Sequence, residues 1–389
     1  MQRAELTEVH DHLEVDVAII GGGIAGLWIH NNLIAHGYSS LLIEKDQLGC
    51  AQTLASQGMI HGGIKYTLAG ATTGASETIA AMPERWNQCL AGEDPVDLQG
   101  VETLSQDYYM FSDRSVTSKV TAFFGSKAIE GRVSAIKRRD YTGAFANAEF
   151  KGSLYKLQDI VLDTESLISR LASVGHVVQG EATLEQEDGQ VSSIRIPGLL
   201  IKPTTTILAA GLGNEALIRA LALPVTMQRR PLQQVIVTGP ELPDLYAHAV
   251  TLKAGDKPRI TFTTHQAGNQ KAWYLGGQLA ETGVDRSEAE QVEFAKKELA
   301  EVVPWVDLTQ CEFATLRIDR AEAGHSEGLR PDRPFARRYG NVIVSWPTKL
   351  TLAPMLGDMV LELMPPAGGE DKVIPDSVPR AQFGVAPWL

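Results

Sequence analysis

Hydrophobic positions near the beginning of the chain follow a strand pattern, then a helical pattern, then a strand pattern again. Val15–Ile20 is a short apolar run of strand formers, Gly21–Gly26 is rich in glycine, and Leu27–His36 carries apolar residues at helical spacing. A second apolar run, Ser40–Ile43, ends on Glu44. This order predicts a strand, a glycine turn, a helix and a strand, which form a βαβ unit of about 30 residues.

Hydrophobic patterns farther along the chain predict more helices and strands. Helices are expected at Glu165–Leu171, capped by Asp163 or Thr164, at Ser287–Val303 and at Leu352–Met364. Strands bounded by glycine, proline and charged turns are expected at 235–238, 259–263 and 272–277.

The glycines of the first turn sit where a dinucleotide-binding unit needs them. Gly21 permits a tight turn, Gly23 lets backbone amides approach a pyrophosphate, and Gly26 lets the helix pack closely on the strand. The N–H groups and partial positive charge of the helix N-terminus then face the phosphates, and Glu44 is placed to accept hydrogen bonds from a ribose diol. A glycine-rich turn without a ligand is the alternative, but the strand, helix and acid in register favour dinucleotide binding.

Composition narrows the class of protein. The 389 residues carry 35 Lys and Arg against 47 Asp and Glu, a formal net charge of −12, and 44% are hydrophobic. This balance predicts a globular chain with two lobes, and it argues against broad electrostatic binding to nucleic acid or anionic membranes. No apolar run reaches the ~20 residues of a membrane span. Three widely spaced cysteines predict a reducing cytoplasm and no structural zinc site.

The sequence after Glu44 carries a family resemblance. A long loop of small and polar residues, Gly49–Gly58, runs into Met59-Ile60-His61-Gly62-Gly63-Ile64-Lys65-Tyr66. This arrangement resembles the D-amino-acid oxidase superfamily of FAD enzymes, which includes glycine oxidase, 2-hydroxyglutarate dehydrogenase and the flavin-linked glycerol-3-phosphate dehydrogenases. The stretch at 60–66 looks most like the last two. The resemblance implies FAD as the cofactor.

Later blocks extend the resemblance along most of the chain. Asp159–Thr164 is similar to the segment before the adenine-side strand, and Thr204–Gly211 is similar to the second cofactor-contacting turn. Gly328–Pro334 resembles the Gly-Leu-Arg-Pro segment of the amino-acid oxidases, and Val342–Thr351 resembles the Lys-Leu-Thr turn of the glycerol-3-phosphate dehydrogenases. Pro347-Thr348 departs from the Gly-Gly that commonly precedes that lysine.

The blocks imply an α/β fold with two interleaved domains. A Rossmann-like FAD-binding domain would comprise residues 14–90, 151–225 and 325–389. Residues 91–150 and 226–324 would form an α+β substrate domain built on an antiparallel or mixed sheet.

The resemblance also implies a set of cofactor-binding residues, drawn from the glycine turn, the loops after it and the C-terminal turn. They are Gly21, Gly23, Ile24, Ala25, Gly26, Glu44, Lys45, Gln52, Thr53, Ser56, Gln57, Gly58, Met59, His61, Thr183, Ala210, Gly211, Thr348, Lys349, Leu350 and Thr351. The amides at the start of the 352–364 helix, with Lys349, are expected to stabilise the negative charge that reduced flavin gains.

Substrate capture calls for a cation, because the planar fork of a guanidinium suits a carboxylate or phosphate. Four arginines, at 317, 320, 330 and 333, lie close together in sequence, and surface ion pairing is expected to account for two or three of them. Arg330 is the predicted clamp because it occupies the Gly-Leu-Arg-Pro motif, and Arg333 is second. Lys65 and Tyr66 match positions near the substrate in the glycerol-3-phosphate dehydrogenases.

Oxidation of an alcohol also needs a group that removes the hydroxyl proton, and a histidine suits that role. His61 is the candidate base or flavin-contacting residue, with His265 and His325 as alternatives. The predicted activity is oxidation of a CH–OH or CH–NH bond in a small anionic metabolite, namely a 2-hydroxy acid, a polyol phosphate or an amino acid. The electron acceptor stays open between oxygen, quinone and protein. A flavin-containing binding or RNA-modifying protein is the alternative, and a flavin monooxygenase is a third reading.

Overall fold

The computed structural model describes residues 11–63, 79–112, 133–250, 257–324, 331, 333–368, 374 and 378–389. Within these ranges the strands form two large sheets of mixed direction and one small antiparallel sheet. No helix within the same ranges is both long enough and apolar enough to cross a membrane.

The strands and helices of the described residues are numbered here in chain order. The strands are β1 (Asp11–Ile20), β2 (Ser40–Glu44), β3 (Met59–Ile60), β4 (Thr103–Ser105), β5 (Tyr108–Ser112), β6 (Val133–Ala135), β7 (Ser153–Leu157), β8 (Ile160–Leu162), β9 (His176–Gln179), β10 (Thr183–Glu187), β11 (Gln190–Ile196), β12 (Leu199–Leu208), β13 (Met227–Gly239), β14 (Ala247–Val250), β15 (Ile260–Ala267), β16 (Gln270–Gly276), β17 (Glu312–Ala323), β18 (Phe335–Tyr339) and β19 (Val342–Trp346). The α-helices are α1 (Ile24–Ala35), α2 (Met82–Ala91), α3 (Thr164–Ala172), α4 (Asn214–Ala220), α5 (Gln278–Glu281), α6 (Glu288–Val302) and α7 (Ala353–Leu363).

The first sheet contains the predicted βαβ unit. β1 pairs in parallel with β2 and with β12, and β9 and β19 extend the parallel part on either side. β10, β11 and β18 add antiparallel strands. Side chains of successive residues point to opposite faces, so Val17 and Ile19 pack with α1, α2, α3 and α7, while Ala18 and Ile20 face the cluster that includes α4.

The second sheet has the strand order β17-β13-β16-β15-β14-β5-β7-β6. All of its pairs are antiparallel except β5 with β14, so the sheet is mixed. One face packs on α6, whose N-terminus carries a capping box between Ser287 and Glu290. The predicted fold class, a Rossmann-like domain interleaved with an α+β domain, is therefore confirmed.

The division of strands between the sheets differs from the predicted segments at one boundary. The segment expected to join the cofactor domain begins at residue 151, but β7 pairs with β5 and β6 in the second sheet. The chain changes sheet only after Leu157. The local sequence of 153–157 does not indicate which sheet the strand joins. An apolar strand has the same pattern in either sheet, and its pairing partner lies far away in sequence.

A C-terminal segment, residues 378–389, joins the two large sheets, and we call it the strap. Its backbone pairs with β9 through Gln179 N–H to Pro379 O at 2.8 Å, and it then exchanges hydrogen bonds with Leu48. Ala386 N–H donates to a carboxylate oxygen of Glu165 at 3.1 Å. At its end Trp388 is buried against the second sheet, stacked on His265 with ring centroids 3.7 Å apart.

Burial of His265 beneath the strap makes stability depend on pH. Burial lowers the pKa of His265 to about 3 and that of His30 in α1 to about 4. In the unfolded chain each imidazole has a pKa near 6.5. The contribution of each buried neutral histidine to the unfolding free energy is therefore fully present above pH 6.5, and it is lost as the pH falls towards the folded-state pKa. We expect each histidine to remove about 1.4 kcal/mol of unfolding free energy per pH unit in that window.

Urea unfolding of the holoprotein at pH 7 and pH 5 gives the unfolding free energy at each pH. The same measurement is made on the variant His265→Phe, and the two pH dependences are compared. Phenylalanine keeps the stack on Trp388 but does not titrate, so the loss between pH 7 and pH 5 should shrink by about 2 kcal/mol. An identical pH dependence in wild type and variant would show that His265 is not held neutral.

Candidate functional site

The glycine turn after β1 is built by close backbone contacts. Gly21 has φ +115°, and a Cβ on it would stand 2.5 Å from Cα of Ala210. A Cβ on Gly26 would stand 1.9 Å from the carbonyl oxygen of Gly21. Real Cβ atoms do not approach backbone so closely, so both positions require glycine. The first turn therefore packs directly against the Ala-Ala-Gly turn that follows β12.

The N-terminus of α1 presents backbone amides beside this cradle. Gly23 is the N-cap and supplies no side-chain cap, while Thr53 Oγ1 accepts a hydrogen bond from Ile24 N–H at 3.0 Å. In the described part of the chain, the amides of Ala25 and Gly26 make no hydrogen bond, as is normal for a first helical turn. Free amides and the positive end of the helix dipole suit a pyrophosphate.

Glu44 lies at the end of β2, next to the same turn. One carboxylate oxygen accepts from Gly22 N–H at 2.6 Å, and the other accepts from Asp46 N–H at 2.8 Å. An ionised carboxylate has about four lone-pair sites, so it retains capacity to accept from a ribose diol. Lys45, in contrast, is exposed and pairs with Asp46 at 3.7 Å.

Thr183 is a predicted cofactor residue that the fold places away from Glu44. It is exposed on β10, an edge strand, and β11, β12 and β1 lie between β10 and β2. The strand beside Glu44 is β9, and Gly180 N–H donates to the Glu44 carbonyl at 2.8 Å. Residues 176–180 therefore flank this side of the site.

The second turn is held by side chains from distant segments. Ala210 N–H donates to Asn214 Oδ1 at 2.8 Å, and the carbonyl of Gly211 accepts from Trp346 Nε1 at 3.0 Å. Gln52 lies beside Gly211 and accepts from Ala321 N–H at 3.1 Å through Oε1. Gln52 thus joins the loop after β2 to β17 of the second sheet.

Residues 55–58 of the same loop cross beneath the second sheet. Gln57 Nε2 donates to the carbonyls of Thr261 at 3.1 Å and Tyr274 at 2.8 Å, so its amide links the loop to the sheet. Ser56 Oγ accepts from Gly58 N–H at 3.3 Å. Gly58 has φ +65°, and a Cβ on it would stand 2.1 Å from the Leu162 carbonyl oxygen. The loop is consequently fixed before it reaches His61.

His61 and the C-terminal turn meet directly, although 290 positions separate them in sequence. His61 N–H donates to Thr351 Oγ1 at 3.2 Å, and Thr351 Oγ1 donates to the carbonyl of Met59 at 3.4 Å. Leu350 begins a short 3-10 turn that leads into α7, and Lys349 is buried beside it. The contact brings together His61, Lys349 and the N-terminus of α7.

Thr348 adopts a conformation that threonine rarely tolerates. Its φ is +60°, in the left-handed region, and its hydroxyl donates to the carbonyl of Pro347 at 2.7 Å. A β-branched residue there is strained, and such strain collects at functional sites. The resembled family commonly has glycine at this position, which fits the geometry.

Two residues that were not among the predicted site residues also hold this region. Trp86 of α2 donates from Nε1 to the Thr351 carbonyl at 2.9 Å, and Asp159 Oδ1 accepts from Gly62 N–H at 2.8 Å. Asp159 begins one of the blocks that resemble the family, and this position could have identified it as a candidate site residue. Trp86 occupies an ordinary buried helix position, so its hydrogen bond has no sequence signature.

The predicted substrate residues are spread more widely. Arg333 is exposed, Arg317 donates to the Val284 carbonyl at 2.7 Å, and His265 lies under Trp388. Arg320 donates from Nε to the carbonyl of Arg230 at 3.2 Å. Four other predicted residues lie outside the described residues: Lys65, Tyr66, His325 and Arg330.

These observations test whether the residues fit a dinucleotide with a reactive ring. The glycine cradle, the free amides of α1 and the Glu44 carboxylate fit the phosphates and a ribose. His61, Lys349 and the N-terminus of α7 lie together, as the reactive end of such a cofactor requires. In the described ranges no group of three or more His, Cys, Asp or Glu residues is arranged to bind a metal ion.

Comparison with known proteins agrees with this fit. The family model described as FAD dependent oxidoreductase matches residues 16–363. A probable FAD-dependent oxidoreductase of Pseudomonas aeruginosa is 45% identical over 385 residues, which cover 97% of this chain and 98% of that protein. A crystal structure of the P. aeruginosa FAD-dependent oxidoreductase superposes with a TM-score of 0.84 and 40% identity, over 97% of this chain and 98% of that one.

More distant similarities concern the fold alone or a short segment of the chain. Glycine oxidase from Geobacillus kaustophilus has the same fold, with a TM-score of 0.66 and 17% identity over 90% of this chain and 95% of that chain. A glycerol-3-phosphate dehydrogenase of Pseudomonas tolaasii is 47% identical over only 51 residues, 13% of this chain and 10% of that protein. The second similarity is confined to a short segment.

Proposed function

Because this chain belongs to the family of FAD-dependent oxidoreductases, we propose that it oxidises a CH–OH or CH–NH bond of a small anionic metabolite. FAD is the cofactor, and when bound it supplies the ring that accepts a hydride equivalent. The protein supplies position and electrostatics. The comparisons give no support to a flavin-containing binding or RNA-modifying protein.

The contact between His61 and Thr351 is the observation that carries the proposal. It ties the loop after the dinucleotide unit to the turn that contains Lys349, at 3.2 Å from His61 N to Thr351 Oγ1. A buried cation and a helix N-terminus at one place stabilise negative charge. We infer that the His61 imidazole holds or removes a proton of the substrate.

Two substrate classes follow from different residues. Removal of a hydroxyl proton needs a base, so His61 and Lys349 favour a 2-hydroxy acid or a polyol phosphate. An amino acid binds with its amine neutral and needs no such base, and the Gly-Leu-Arg-Pro motif around Arg330 favours this class. Both classes are anionic, and in both the predicted arginine holds the carboxylate or phosphate.

An anaerobic panel separates these classes. Purified yellow protein is mixed with 2-hydroxy acids, amino acids and sugar phosphates, and bleaching of the flavin absorbance is followed. A compound that bleaches the flavin stoichiometrically identifies the class, and no bleaching by any class would contradict the proposal. Admission of air to the reduced protein then distinguishes an oxidase, which reoxidises rapidly, from a dehydrogenase that needs a quinone or protein acceptor.

Arg330→Ala tests the predicted clamp. We expect bleaching by the true substrate to fall at least 100-fold, because loss of a bidentate charge-assisted contact costs about 3 kcal/mol or more. The flavin content should not change. Arg337→Ala is the matched control, since Arg337 is an exposed arginine of β18. Unchanged bleaching, or loss of flavin from Arg330→Ala, would contradict the assigned role.

We also propose that the protein works in the reducing cytoplasm. Cys50, Cys89 and Cys311 are all free thiols, and a reducing compartment keeps thiols in that state.

A further inference from the structure

The strap lies directly against the cofactor loop, by which we mean residues 48–58. Leu48 N–H donates to the Gln382 carbonyl at 2.8 Å, and Gly384 N–H donates to the Leu48 carbonyl at 3.0 Å. A Cβ on Gly384 would stand 2.9 Å from the Leu48 carbonyl oxygen and 3.0 Å from Cα of Cys50. The backbones of the strap and the loop are therefore in contact, with no room for a side chain between them.

The other side of the cofactor loop faces the two turns of the dinucleotide site. Thr53 Oγ1 accepts from Ile24 N–H at 3.0 Å, and Gln52 lies beside Gly211. The loop is thus enclosed between these turns and the strap. Because protein interiors are close-packed, the loop gains room to move away from the turns only when the strap lifts.

Trp388 anchors the strap to the second sheet. Its buried ring stacks on His265 with centroids 3.7 Å apart and an angle of 21° between the planes, and it lies 5.2 Å from the ring of Tyr274. The Tyr274 hydroxyl oxygen lies 3.0 Å from the carbonyl oxygen of Ala55 in the cofactor loop. One tryptophan thus connects the strap to the sheet and, through Tyr274, to the far part of the loop.

The stack beneath Trp388 requires a neutral imidazole. Nε2 of His265 lies 2.9 Å from Thr263 Oγ1, while Nδ1 is buried and, within the described ranges, makes no hydrogen bond. A charged imidazole has two N–H donors, so protonation in place would leave a buried donor without an acceptor, which is strongly unfavourable. His265 therefore takes up a proton readily only after Trp388 has lifted and water has entered.

Titratable side chains on the neighbouring elements stay protonated or have other partners. Burial raises the pKa of Tyr274 on β16 and of Tyr246 beside β14, so both keep their protons. Lys271 of β16 pairs with Asp244 at 2.9 Å on the surface. On the strap side, Glu165 accepts a hydrogen bond from the strap backbone at 3.1 Å. The buried imidazole is thus the group whose proton uptake depends on the position of Trp388.

We propose that the strap is a latch on the FAD site: FAD leaves only after Trp388 lifts from His265 and frees the cofactor loop, and acid favours the open state. A proton binds His265 in the open state and not in the closed one, so it shifts the equilibrium towards opening. This inference goes beyond the proposed function, because it concerns how the cofactor is held and released rather than which bond is oxidised.

The rate of FAD release from the holoprotein tests the latch directly. Holoprotein is diluted below its dissociation constant at pH 7 and at pH 5, and the FAD that passes an ultrafiltration membrane is measured over time. The pKa of His265 is about 3 when buried and near 6.5 when exposed. The open population, and with it the release rate, should therefore be about 25-fold higher at pH 5 than at pH 7.

Two variants assign the pH dependence to one side chain. His265→Phe keeps a ring under Trp388 but cannot take up a proton, so its FAD release should be nearly equal at the two pH values. Glu165→Gln keeps an acceptor for the strap backbone without a titrating group, and it should retain the wild-type dependence. An equal pH dependence in wild type and His265→Phe, or FAD that does not leave at either pH, would overturn the latch.

Variants of the strap test its contact with the loop at constant pH. Gly384→Ala should release FAD about 10-fold faster at pH 7, because its methyl group meets the Leu48 backbone and moves the strap outward. Trp388→Ala should release it about 100-fold faster or more, because a buried ring is lost from the closed state. Val385→Ala is the matched control, since Val385 is 63% exposed. Equal release from Gly384→Ala and Val385→Ala would contradict the contact as the point of control.

Release through the strap must be faster than unfolding of the whole protein. The unfolding rate at pH 5, extrapolated from urea to water, should lie at least about 10-fold below the FAD release rate. Equal rates would mean that FAD leaves by global unfolding, and the latch would be wrong. With FAD in excess, every variant should regain one flavin per chain. A flavin content that stays low would mean that the strap shapes the site rather than closing it, which also contradicts the latch.

None of these measurements uses a substrate. The latch can therefore fail while the anaerobic panel supports the proposed function, and the panel can fail while the latch holds.

Discussion

Gly26→Ala is expected to yield protein that does not retain FAD. The added methyl would stand 1.9 Å from the Gly21 carbonyl oxygen. Neither atom can rotate away, because the backbone fixes the position of a Cβ and the oxygen is itself a backbone atom. Relief requires α1 to move off β1, which displaces the amides that face the pyrophosphate. We expect a loss of at least about 3 kcal/mol in stability, at the upper end for overpacking. The ratio of flavin to protein absorbance after purification measures the first effect, and thermal unfolding measures the second.

The matched control is Gly368→Ala. The nearest atom to a Cβ there is Asp16 Oδ1 at 3.7 Å, an ordinary contact, and the backbone is not left-handed. This variant should purify yellow with wild-type stability. Stoichiometric flavin in Gly26→Ala would show that the glycine turn does not form the phosphate site.

Trp86→Ala is expected to cost about 3–5 kcal/mol of unfolding free energy, the usual range for removing a buried tryptophan. Trp86 is fully buried, and its ring centroid lies 4.6 Å from that of Trp28 in α1. Its indole N–H also holds the Thr351 carbonyl. The turn with Lys349 should therefore loosen, and substrate should reduce the remaining flavin more slowly.

Trp86→Phe separates packing from the hydrogen bond. Phenylalanine keeps an aromatic ring against Trp28 but leaves the Thr351 carbonyl without its donor, at a cost of about 1–3 kcal/mol. Urea unfolding gives the stabilities, and stopped-flow flavin bleaching gives the reduction rates. A normal rate in Trp86→Phe would mean that the indole N–H does not position the turn.

Elements with local sequence signals were predictable from the chain. The helix predicted at 287–303 is α6, Glu288–Val302, and the helix predicted at 352–364 is α7, Ala353–Leu363. Asp163, one of the two predicted caps, accepts from Ser166 N–H at 2.6 Å. Caps and periodicity act within a few residues, which is why these bounds agree so closely. β1 begins at Asp11, ahead of the apolar run, because it pairs with β12 along its whole length.

The differences between the predicted and the observed contacts arise from pairing between residues that lie far apart in sequence. Gln57 occupies the loop that the resemblance assigns to FAD, yet its amide donates to the second sheet. The sequence does not reveal this contact, because 204 positions separate Gln57 from Thr261. The placement of Thr183 on an edge strand depends on strand order, which the local pattern does not specify. Arg230 and Arg320 become a pair only through the register of β13 with β17. The cofactor residues themselves, like the predicted clamp, stay predictions that the variants above test.

The strap has a consequence for the order of assembly during translation. Residues 378–389 emerge from the ribosome after every strand of both sheets, yet they contact β9, Leu48, α3 and His265. The strap can therefore close over both sheets only after all of these strands have been synthesised. A nascent chain arrested before residue 378 should consequently bind flavin more weakly than one arrested after residue 389 has left the ribosome.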